Sequence, residues 1–321
     1  MTTILGLDVG GTKIDGLLVD ERDQVLGTAE QPTDERPLHE QVLAVARVML
    51  DGQQPAGIGI ATPGEVDSRT GVVRLAVNIS LPETPLAALV GDALGAPAFV
   101  DHDARAAAAW LLSRDPGADS LAYLSVGTGI SAAVAIDGRI LRGGAGLAGE
   151  IGHLVAVPNG PMCPCGLRGC LEAVASGPAI ARRAAQAVRA GEATQLGPDP
   201  TPAEVYRAAA TGDALAGRVA AEAGEHLARA IRGIALAYGV NQVVIGGGLS
   251  RAGDPFLTPI LTALDAEREA SALVRRALPP GAISLLPPDA RAGAWGAVLV
   301  ARSGLRDMSR ERSERREVDD G

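Results

Sequence analysis

Ile4-Leu5-Gly6-Leu7-Asp8-Val9-Gly10-Gly11-Thr12-Lys13 is the stretch that decides the fold of this chain. Its apolar run and the one at 14–19 flank Gly10 and Gly11, a pattern that predicts a β-hairpin with a glycine-rich turn. The backbone N–H groups of such a turn can cradle an anion, here at Gly10, Gly11 and Thr12. Asp8 could hold magnesium through water, and the alternative is that it only caps the turn.

Two further glycine turns follow apolar strands. Gly127-Thr128-Gly129 joins predicted strands at 121–126 and 130–136, and Gly246-Gly247-Gly248 follows a strand at 241–245. The second half therefore repeats the strand, Gly-Thr turn, strand pattern of the first, which indicates two similar lobes. One glycine turn is weak evidence for phosphate binding, but three that each leave a strand are stronger together. The chain has neither a Walker-type lysine loop nor a dinucleotide fingerprint.

The remaining pattern is mostly helical and predicts an α/β protein. Helices are predicted at 37–50, 103–113, through much of 178–240 and at 291–301, and short strands at 57–61 and 98–100. Thr201-Pro202 has the residues of a helix start. We expect an N-terminal α/β lobe at 1–115, a C-terminal α/β lobe at 116–303 whose last helix could pack back on the first lobe, and a charged tail at 304–321 that is solvated or disordered.

The charge and composition of the chain argue against nucleic-acid binding and against a membrane location. The 321 residues carry a formal net charge of −9 and are 47% hydrophobic but only 2% aromatic. A chain this acidic, without a basic face, is a poor nucleic-acid binder, because that binding depends on neutralising phosphates. No stretch reads as a signal peptide or is apolar enough to span a bilayer, so we expect a cytoplasmic protein with no membrane partner.

The cysteines form one cluster beside a histidine. Cys163, Cys165 and Cys170 lie within eight residues, and His153 precedes them. Three thiolates and one imidazole make the closed tetrahedral set that structural zinc prefers, with no open position for activating water. The alternative is three reduced cysteines without a ligand.

Four carboxylates are candidates for the chemistry. Asp101 and Asp103 flank His102 at a predicted strand-to-helix junction, where the helix N-terminus stabilises a charged base, although a helix N-cap is the commoner use. Position alone does not choose between them. Glu150 and Glu172 flank the zinc ligands, and they could bind sugar hydroxyls or merely support the metal ligands.

The residues quoted so far resemble the sugar kinases of the ROK family (repressors, open reading frames, kinases). The matching stretches cover nearly the whole chain in the family's order: Asp8 to Lys13, Thr62 to Asp67, Gly127 to Ile130, Ala148 to His153, Cys163 to Glu172 and Gly246 to Gly248. The resemblance implies a two-lobed, actin-like ATPase fold of ribonuclease H-like type, with an active-site cleft between the lobes that closes on binding.

The same resemblance implies the cofactors and residue roles. ATP with Mg²⁺ would bind at the three glycine turns, including Lys13, and Asp103 would take the proton from the sugar's 6-hydroxyl. Zinc would be structural, the partners would be a sugar and a second copy of the chain, and the repressors' DNA-binding domain is not expected. The sugar-binding residues would be Gly64, Asn78, His102, Asp103, Glu150, His153 and Glu172, with His153 bonding zinc through its other ring nitrogen.

Some positions depart from the family pattern. His102 and Arg105 stand where relatives usually have asparagine, and an apolar residue near Leu111 replaces a glutamate. Ser131-Ala132 replaces the usual glycine run after the second turn, which could alter the nucleotide fit. An imidazole at 102 changes the hydrogen bonding near sugar carbons 3 and 4, so we expect a hexose or amino-hexose: glucose, kanosamine, N-acetylglucosamine or N-acetylmannosamine. The alternative from another class is a non-catalytic, zinc-stabilised sugar sensor.

Overall fold

The structure is a computed structural model that describes residues 2–75, 83–115, 117–144 and 146–319. Its strands are β1 (Thr3–Val9), β2 (Lys13–Asp20), β3 (Val25–Pro32), β4 (Gly57–Thr62), β5 (Glu65–Asp67), β6 (Val72–Leu75), β7 (Ala98–His102), β8 (Leu121–Val126), β9 (Ile130–Ile136), β10 (Arg139–Ile140), β11 (Val243–Gly246) and β12 (Ile283–Leu285). Its α-helices are α1 (Leu38–Leu50), α2 (Leu86–Leu94), α3 (Asp103–Arg114), α4 (Leu171–Ala175), α5 (Gly177–Arg189), α6 (Pro202–Ala210), α7 (Ala214–Tyr238), α8 (Asp254–Ala270), α9 (Ala272–Ala277) and α10 (Ala292–Asp319).

The chain divides into two compact units. Unit 1 contains Met1–Pro116, Arg142–Leu147 and Arg291–Gly321, and unit 2 contains Gly117–Leu141 and Ala148–Ala290. The predicted C-terminal lobe at 116–303 differs from unit 2 because it includes Arg142–Leu147 and the first part of α10. The return of the last helix to the first lobe is among the expectations from the sequence, whereas nothing in the sequence pattern indicates that Arg142–Leu147 belongs with unit 1, since that depends on packing between distant parts of the chain.

Each unit is built on a five-stranded sheet of the same topology. The strand order is β3-β2-β1-β4-β7 in unit 1 and β10-β9-β8-β11-β12 in unit 2. In both, three strands form an antiparallel meander, a fourth strand pairs in parallel with the first strand of the meander, and a fifth pairs in parallel with the fourth. This correspondence confirms the α/β class and the internal repeat. The predicted hairpin is also confirmed, with Asp8 paired opposite Asp15 across β1 and β2.

Helix α10 lies directly on the sheet of unit 1, because glycines in the strands leave room for its backbone. A Cβ atom at Gly59 would lie 1.7 Å from the carbonyl oxygen of Ala297, and one at Gly6 would lie 2.4 Å from that of Ala294. Such contact buries a mainly aliphatic cluster of β1, β2 and α10 residues. The first turn of α10 thereby lies beside the C-terminal end of β1, where Asp8 is located.

Most of the tail at 304–321, which is expected from the sequence to be solvated or disordered, belongs to α10 in the structure. The helix starts on the sheet and continues through the charged segment to Asp319. Leu305 stays half-buried, at a position where a side chain on Gly57 would touch it, and Gly304 lies over the ring of Phe99. The Arg and Glu residues that follow have high helix propensity, so an anchored helix can continue into solvent. Charge alone did not reveal that anchor.

Unit 2 surrounds its sheet with the helices predicted for 178–240 and with α8 and α9. The predicted start at Thr201 is confirmed: its hydroxyl accepts from the N–H of Glu204, and the Glu204 carboxylate accepts from the N–H of Thr201, which completes a capping box. The core is mainly Ala, Val, Leu and Ile, as the low aromatic content predicts. Within the described residues, no helix combines the length and the apolar character needed to cross a bilayer.

Candidate active site

The first glycine turn connects β1 and β2 in unit 1. The N–H of Gly10 donates to the carbonyl of Lys13 at 2.8 Å, which closes the turn. Gly11 and Thr12 are exposed at its tip, so their backbone N–H groups are accessible to an anion. The Lys13 ammonium forms an ion pair with Glu30 on β3. The turn therefore keeps the predicted form, with its lysine held against the neighbouring strand.

Asp8 stands at the base of this turn in an unusual environment. Its pKa is raised to about 7, first because burial penalises the charged carboxylate and then because Asp103 and Asp15 place negative charge nearby. A Cβ atom at Gly293, in the first turn of α10, would lie 2.1 Å from Oδ2 of Asp8. Only glycine at position 293 leaves room for the carboxyl group. The fold thus holds Asp8 and Asp103 within electrostatic reach of each other.

The raised pKa of Asp8 predicts an unusual pH dependence of stability. The carboxyl is protonated at a higher pH in the folded than in the unfolded protein, so its charge costs increasing stability as pH rises from 3.8 to about 7. Without nucleotide or divalent cations, Asp8→Asn should therefore raise Tm, and by more at pH 8 than at pH 4. Thermal unfolding at both pH values measures this.

Asp213→Asn is the control of opposite sign. Bonds from the N–H groups of Ala216 and Gln195 hold the pKa of Asp213 below its usual range. Its contribution is present above the unfolded pKa and is lost as pH falls, so this variant should lower Tm, most clearly at pH 8. An Asp8→Asn protein whose Tm is below that of wild type at pH 8 would contradict the assignment of Asp8.

The β7–α3 junction separates the two candidate bases. Asp101 is 2% exposed, and both its oxygens are taken by arginines: Nε of Arg105 donates to Oδ1 at 2.7 Å and Nη2 of Arg142 to Oδ2 at 2.8 Å. Burial alone would raise the pKa of Asp101, but the two positive charges outweigh it and hold the pKa below its usual range. Asp101 is therefore a buried ion-pair partner.

Asp103 has a different environment at the same junction. It is the first residue of α3, its side chain is 25% exposed, and its Oδ1 accepts from the N–H of Ala104 at 2.6 Å. The N-cap role belongs to His102, whose Nδ1 also accepts from Ala104 at 3.2 Å and lies 3.0 Å from Oδ1 of Asp103. Asp103 thus keeps a carboxylate at a helix N-terminus, accessible to a ligand.

The second and third glycine turns meet in unit 2. A Cβ atom at Gly127 would lie 3.2 Å from the backbone nitrogen of Gly248, and one at Gly247 would lie 2.5 Å from the carbonyl oxygen of Val126. Gly247 has φ +85°, a conformation that favours glycine. Thr128 and Gly129 complete the turn, with the N–H of Gly127 donating to the carbonyl of Gly129 at 2.9 Å. The two predicted phosphate turns therefore form one backbone surface.

The four predicted zinc ligands converge within unit 2. The ligand atoms of His153, Cys163, Cys165 and Cys170 all lie within 4.8 Å of one another. Sγ of Cys163 is 3.6 Å from Nδ1 of His153, and Sγ of Cys165 is 3.6 Å from Sγ of Cys170. Tetrahedral zinc with Zn–S bonds of about 2.3 Å would separate two sulfurs by about 3.8 Å. The donor set and its spacing therefore fit zinc.

The loop is shaped so that these ligands can meet. Gly169 has φ +76°, and a Cβ atom there would lie 1.6 Å from the carbonyl oxygen of Val157. Burial raises the pKa of the Cys170 thiol to about 12, so a cation is needed to favour the thiolate. Cys163 and Cys170 are both buried, and all three cysteines are free thiols.

The two glutamates near the metal cluster have distinct contacts. Oε2 of Glu150 lies 3.9 Å from Nε2 of His153, on the opposite ring edge from the cysteines. Glu172 is 5% exposed, and its Oε2 accepts from the N–H of Ile130 at 2.9 Å. This bond ties the start of α4 to the strand that follows the second glycine turn. The sequence contained no signal for it.

The two other predicted sugar contacts have different outcomes. Gly64 lies in the turn between β4 and β5 with φ +104°, so a side chain there would be strained. Asn78 lies outside the described residues. Sequence reasoning also missed Arg142 and Gly293, because each acts on a residue far away along the chain.

Comparison with known proteins places these features in a family. A family model described as "ROK family" matches residues 4–302. The chain is 34% identical over 275 residues to the glucokinase of Halalkalibacterium halodurans, which covers 80% of this chain and 83% of that enzyme. It is 33% identical over 258 residues to the N-acetylmannosamine kinase of Citrobacter koseri, covering 77% and 84%.

A solved structure extends the comparison to the fold. The ROK family glucokinase from Streptomyces griseus, in complex with glucose and AMPPNP, superposes with a TM-score of 0.78 at 29% identity. The superposition covers 94% of this chain and 99% of that enzyme. The similarity therefore extends over nearly the full length of both chains.

Proposed function

This chain belongs to the ROK family and is a sugar kinase, and from that premise we propose that it transfers the γ-phosphoryl group of ATP to the 6-hydroxyl of a hexose or amino-hexose. The observation that carries the finer part of the proposal is the environment of Asp103. This carboxylate is partly exposed at the N-terminus of α3, near Asp8 of the phosphate hairpin. Both carboxylate oxygens of Asp101, in contrast, accept hydrogen bonds from arginines.

Asp103 is the general base in this mechanism. Phosphoryl transfer depends mainly on positioning and charge neutralisation, and a carboxylate must accept the proton of the attacking hydroxyl. The N–H of Ala104 holds Oδ1 of Asp103 at the start of α3, so the carboxylate is positioned there to accept a proton when the sugar hydroxyl approaches. A hydroxyl within hydrogen-bond reach of Asp103 is then oriented toward the phosphoryl group.

The nucleotide is assigned to the glycine turns. The N–H groups of Gly10, Gly11 and Thr12 would contact phosphate oxygens, with Lys13 beside them, and Gly127 to Gly129 and Gly246 to Gly248 would supply the second backbone surface. Asp8 would hold Mg²⁺ through water, and that ion would neutralise phosphate charge. Loss of a proton from Asp8 would accompany this binding, since its pKa is about 7.

The zinc cluster serves recognition and takes no part in the chemistry. With four protein ligands, zinc would be structural. It would fix His153 through Nδ1, which leaves Nε2 on the side of Glu150 for a sugar hydroxyl. The remaining proposed sugar contacts are Gly64, Asn78, His102, Asp103, Glu150 and Glu172. We further propose a cytoplasmic homodimer.

The position of phosphorylation is tested by the product. Incubation of the zinc-loaded protein with ATP, Mg²⁺ and each accepted sugar, followed by ³¹P–¹H correlation NMR, should place phosphorus on carbon 6. The matched 6-deoxy sugar should bind but yield no product. A phosphate on carbon 1, or turnover of the 6-deoxy sugar, would refute the proposed position.

The non-catalytic sugar sensor is the alternative that the sequence left open, because His102 and Arg105 depart from the family pattern. It predicts sugar binding without ADP release. The retained carboxylates and three glycine turns favour the kinase.

His102→Asn should shift substrate preference toward glucose. Asparagine is an effective N-cap and can replace the bond from Ala104, so stability should change little. Its amide differs from imidazole in size and donor pattern. Ratios of kcat/KM for glucose against the amino-hexoses measure the shift, and His226→Asn on α7 is the control. Unchanged ratios would remove His102 from the specificity determinants.

A further inference from the structure

Arg105 is among the largest fully buried side chains, with 1% of its surface exposed. Its guanidinium contacts three separate segments of unit 1. Nε donates to Oδ1 of Asp101, Nη1 donates to the carbonyl of Gly146 at 2.8 Å, and Nη2 donates to that of Val66 at 3.3 Å. The donors of a guanidinium lie in one plane, so a buried arginine that bonds three acceptors holds their segments in a fixed arrangement.

Arg142 completes the cluster from the other side of Asp101. Segment Arg142–Leu147 belongs to unit 1, whereas the residues before and after it belong to unit 2. The cluster holds the segment at both ends, through the Arg142–Asp101 ion pair and the Arg105–Gly146 bond. Gly146 has φ +73°, and a Cβ atom there would lie 2.9 Å from the carbonyl oxygen of Val66.

The same cluster also holds the junction that carries the proposed base. Oδ1 of Asp101 accepts from the backbone N–H of His102 at 2.8 Å, in addition to its bond with Arg105. His102 is directly followed by Asp103, whose Oδ1 lies 3.0 Å from the His102 ring. A shift of the Asp101 carboxylate would therefore move the backbone and the imidazole that set the direction of Asp103.

We propose that Arg105 is a positioning residue for phosphoryl transfer: through Asp101 it fixes the β7–α3 junction, and through Gly146 and Val66 it fixes the two segments packed beside that junction. The inference rests on the proposed function, because it assigns to Arg105 the role of holding the proposed base, Asp103, in its productive position. Arg105 itself does not touch the substrate.

Removing the guanidinium of Arg105 takes one hydrogen-bond donor from the buried carboxylate of Asp101. It also takes the Arg105 donor from the carbonyls of Gly146 and Val66. Such a change destabilises a protein in any location. A purely structural role would therefore lower Tm and leave the turnover of the folded protein unchanged. A positioning role lowers kcat as well, because an error of about 1 Å in a reacting group costs roughly 100-fold in rate.

Arg268 offers a matched control for that distinction. It is also buried, at 7% exposure, and donates to the carbonyls of Leu278 at 2.6 Å and Pro279 at 3.2 Å in unit 2. It forms an ion pair with Asp265 as well. The proposed base, Asp103, belongs to unit 1. Arg268→Met should therefore lower Tm without changing kcat.

The experiment compares Arg105→Met, Arg105→Lys and Arg268→Met with the wild type, all loaded with zinc and assayed well below the lowest Tm of the set. Arg105→Met should lower kcat about 10- to 100-fold. The KM for sugar should change less than about threefold, because misplacement of Asp103 weakens interactions in the transition state more than it weakens sugar binding. Arg105→Lys should recover part of kcat, since it keeps the charge but not the planar fork.

Arg142→Met keeps the test decisive if Arg105→Met does not fold. Its side chain is 52% exposed, so the variant should fold, and loss of its bond to Asp101 should lower kcat several-fold. Wild-type kcat in Arg105→Met, or in Arg142→Met where the former does not fold, overturns the inference. So does an equal loss of kcat in Arg268→Met. Sugar-dependent turnover by the wild type in the same assay reports separately on the proposed function.

Discussion

Asp103→Asn is expected to lower kcat by about 10²- to 10⁴-fold, the contribution typical of a general base. Asparagine has the same shape and can still accept the bond from the Ala104 N–H, so the helix start is preserved. It cannot accept the proton of the attacking hydroxyl. Turnover should fall while the dissociation constant for sugar, measured by calorimetry, stays within a few-fold of wild type.

Two controls isolate this effect. Asp92→Asn, at an exposed position of α2, should retain wild-type kcat and show that loss of one negative charge is harmless. Asp101→Asn should lower stability, because it removes the carboxylate shared by Arg105 and Arg142. Full activity of Asp103→Asn would exclude it as the base and return the assignment to another carboxylate.

Loss of the zinc cluster is expected to have the second large effect. Cys170→Ala removes a buried ligand and leaves two thiols and an imidazole without a closed coordination shell. Loss of a structural metal belongs to the rare changes that cost more than about 4 kcal/mol of stability. The segment that carries His153 and Glu172 would lose its fixed geometry. Sugar turnover should therefore fall by about 100-fold or more.

Metal analysis and thermal unfolding of the same samples measure this prediction. Wild type should contain one zinc per chain, and Cys170→Ala should contain none and unfold at a lower temperature. Met162→Ala is the control, because this side chain lies on the same loop, is 56% exposed and is not a ligand. A metal-free Cys170→Ala protein with wild-type turnover would show that the cluster does not support the site.

Local patterns in the sequence predicted the elements that depend on local physics. The hairpin at Asp8 follows from two apolar runs around adjacent glycines, and the Thr201 capping box follows from a hydroxyl, a proline and a glutamate at fixed spacing. The convergence of His153 with three cysteines follows from their spacing and the chemistry of zinc. In each case the residues that matter belong to one short continuous stretch of the sequence.

The features that the sequence did not predict depend on contacts between distant residues. The choice between Asp101 and Asp103 required the arginines on either side of Asp101, one of them 41 positions away. The helical tail required a packed start for α10 on the sheet of unit 1. Arg105 could be identified only as a departure from the family, since its three acceptors come from three segments. The roles of the site residues remain predictions that the variants above test.

The most direct test of the central claim is a coupled assay of ADP release, run with zinc-loaded wild-type protein, ATP and Mg²⁺ over a panel of hexoses and amino-hexoses. We predict sugar-dependent ADP release with at least one member of the panel, one ADP for each sugar consumed. Measurable binding of a sugar with no ADP release from any of them would contradict the account and leave a zinc-stabilised sugar sensor.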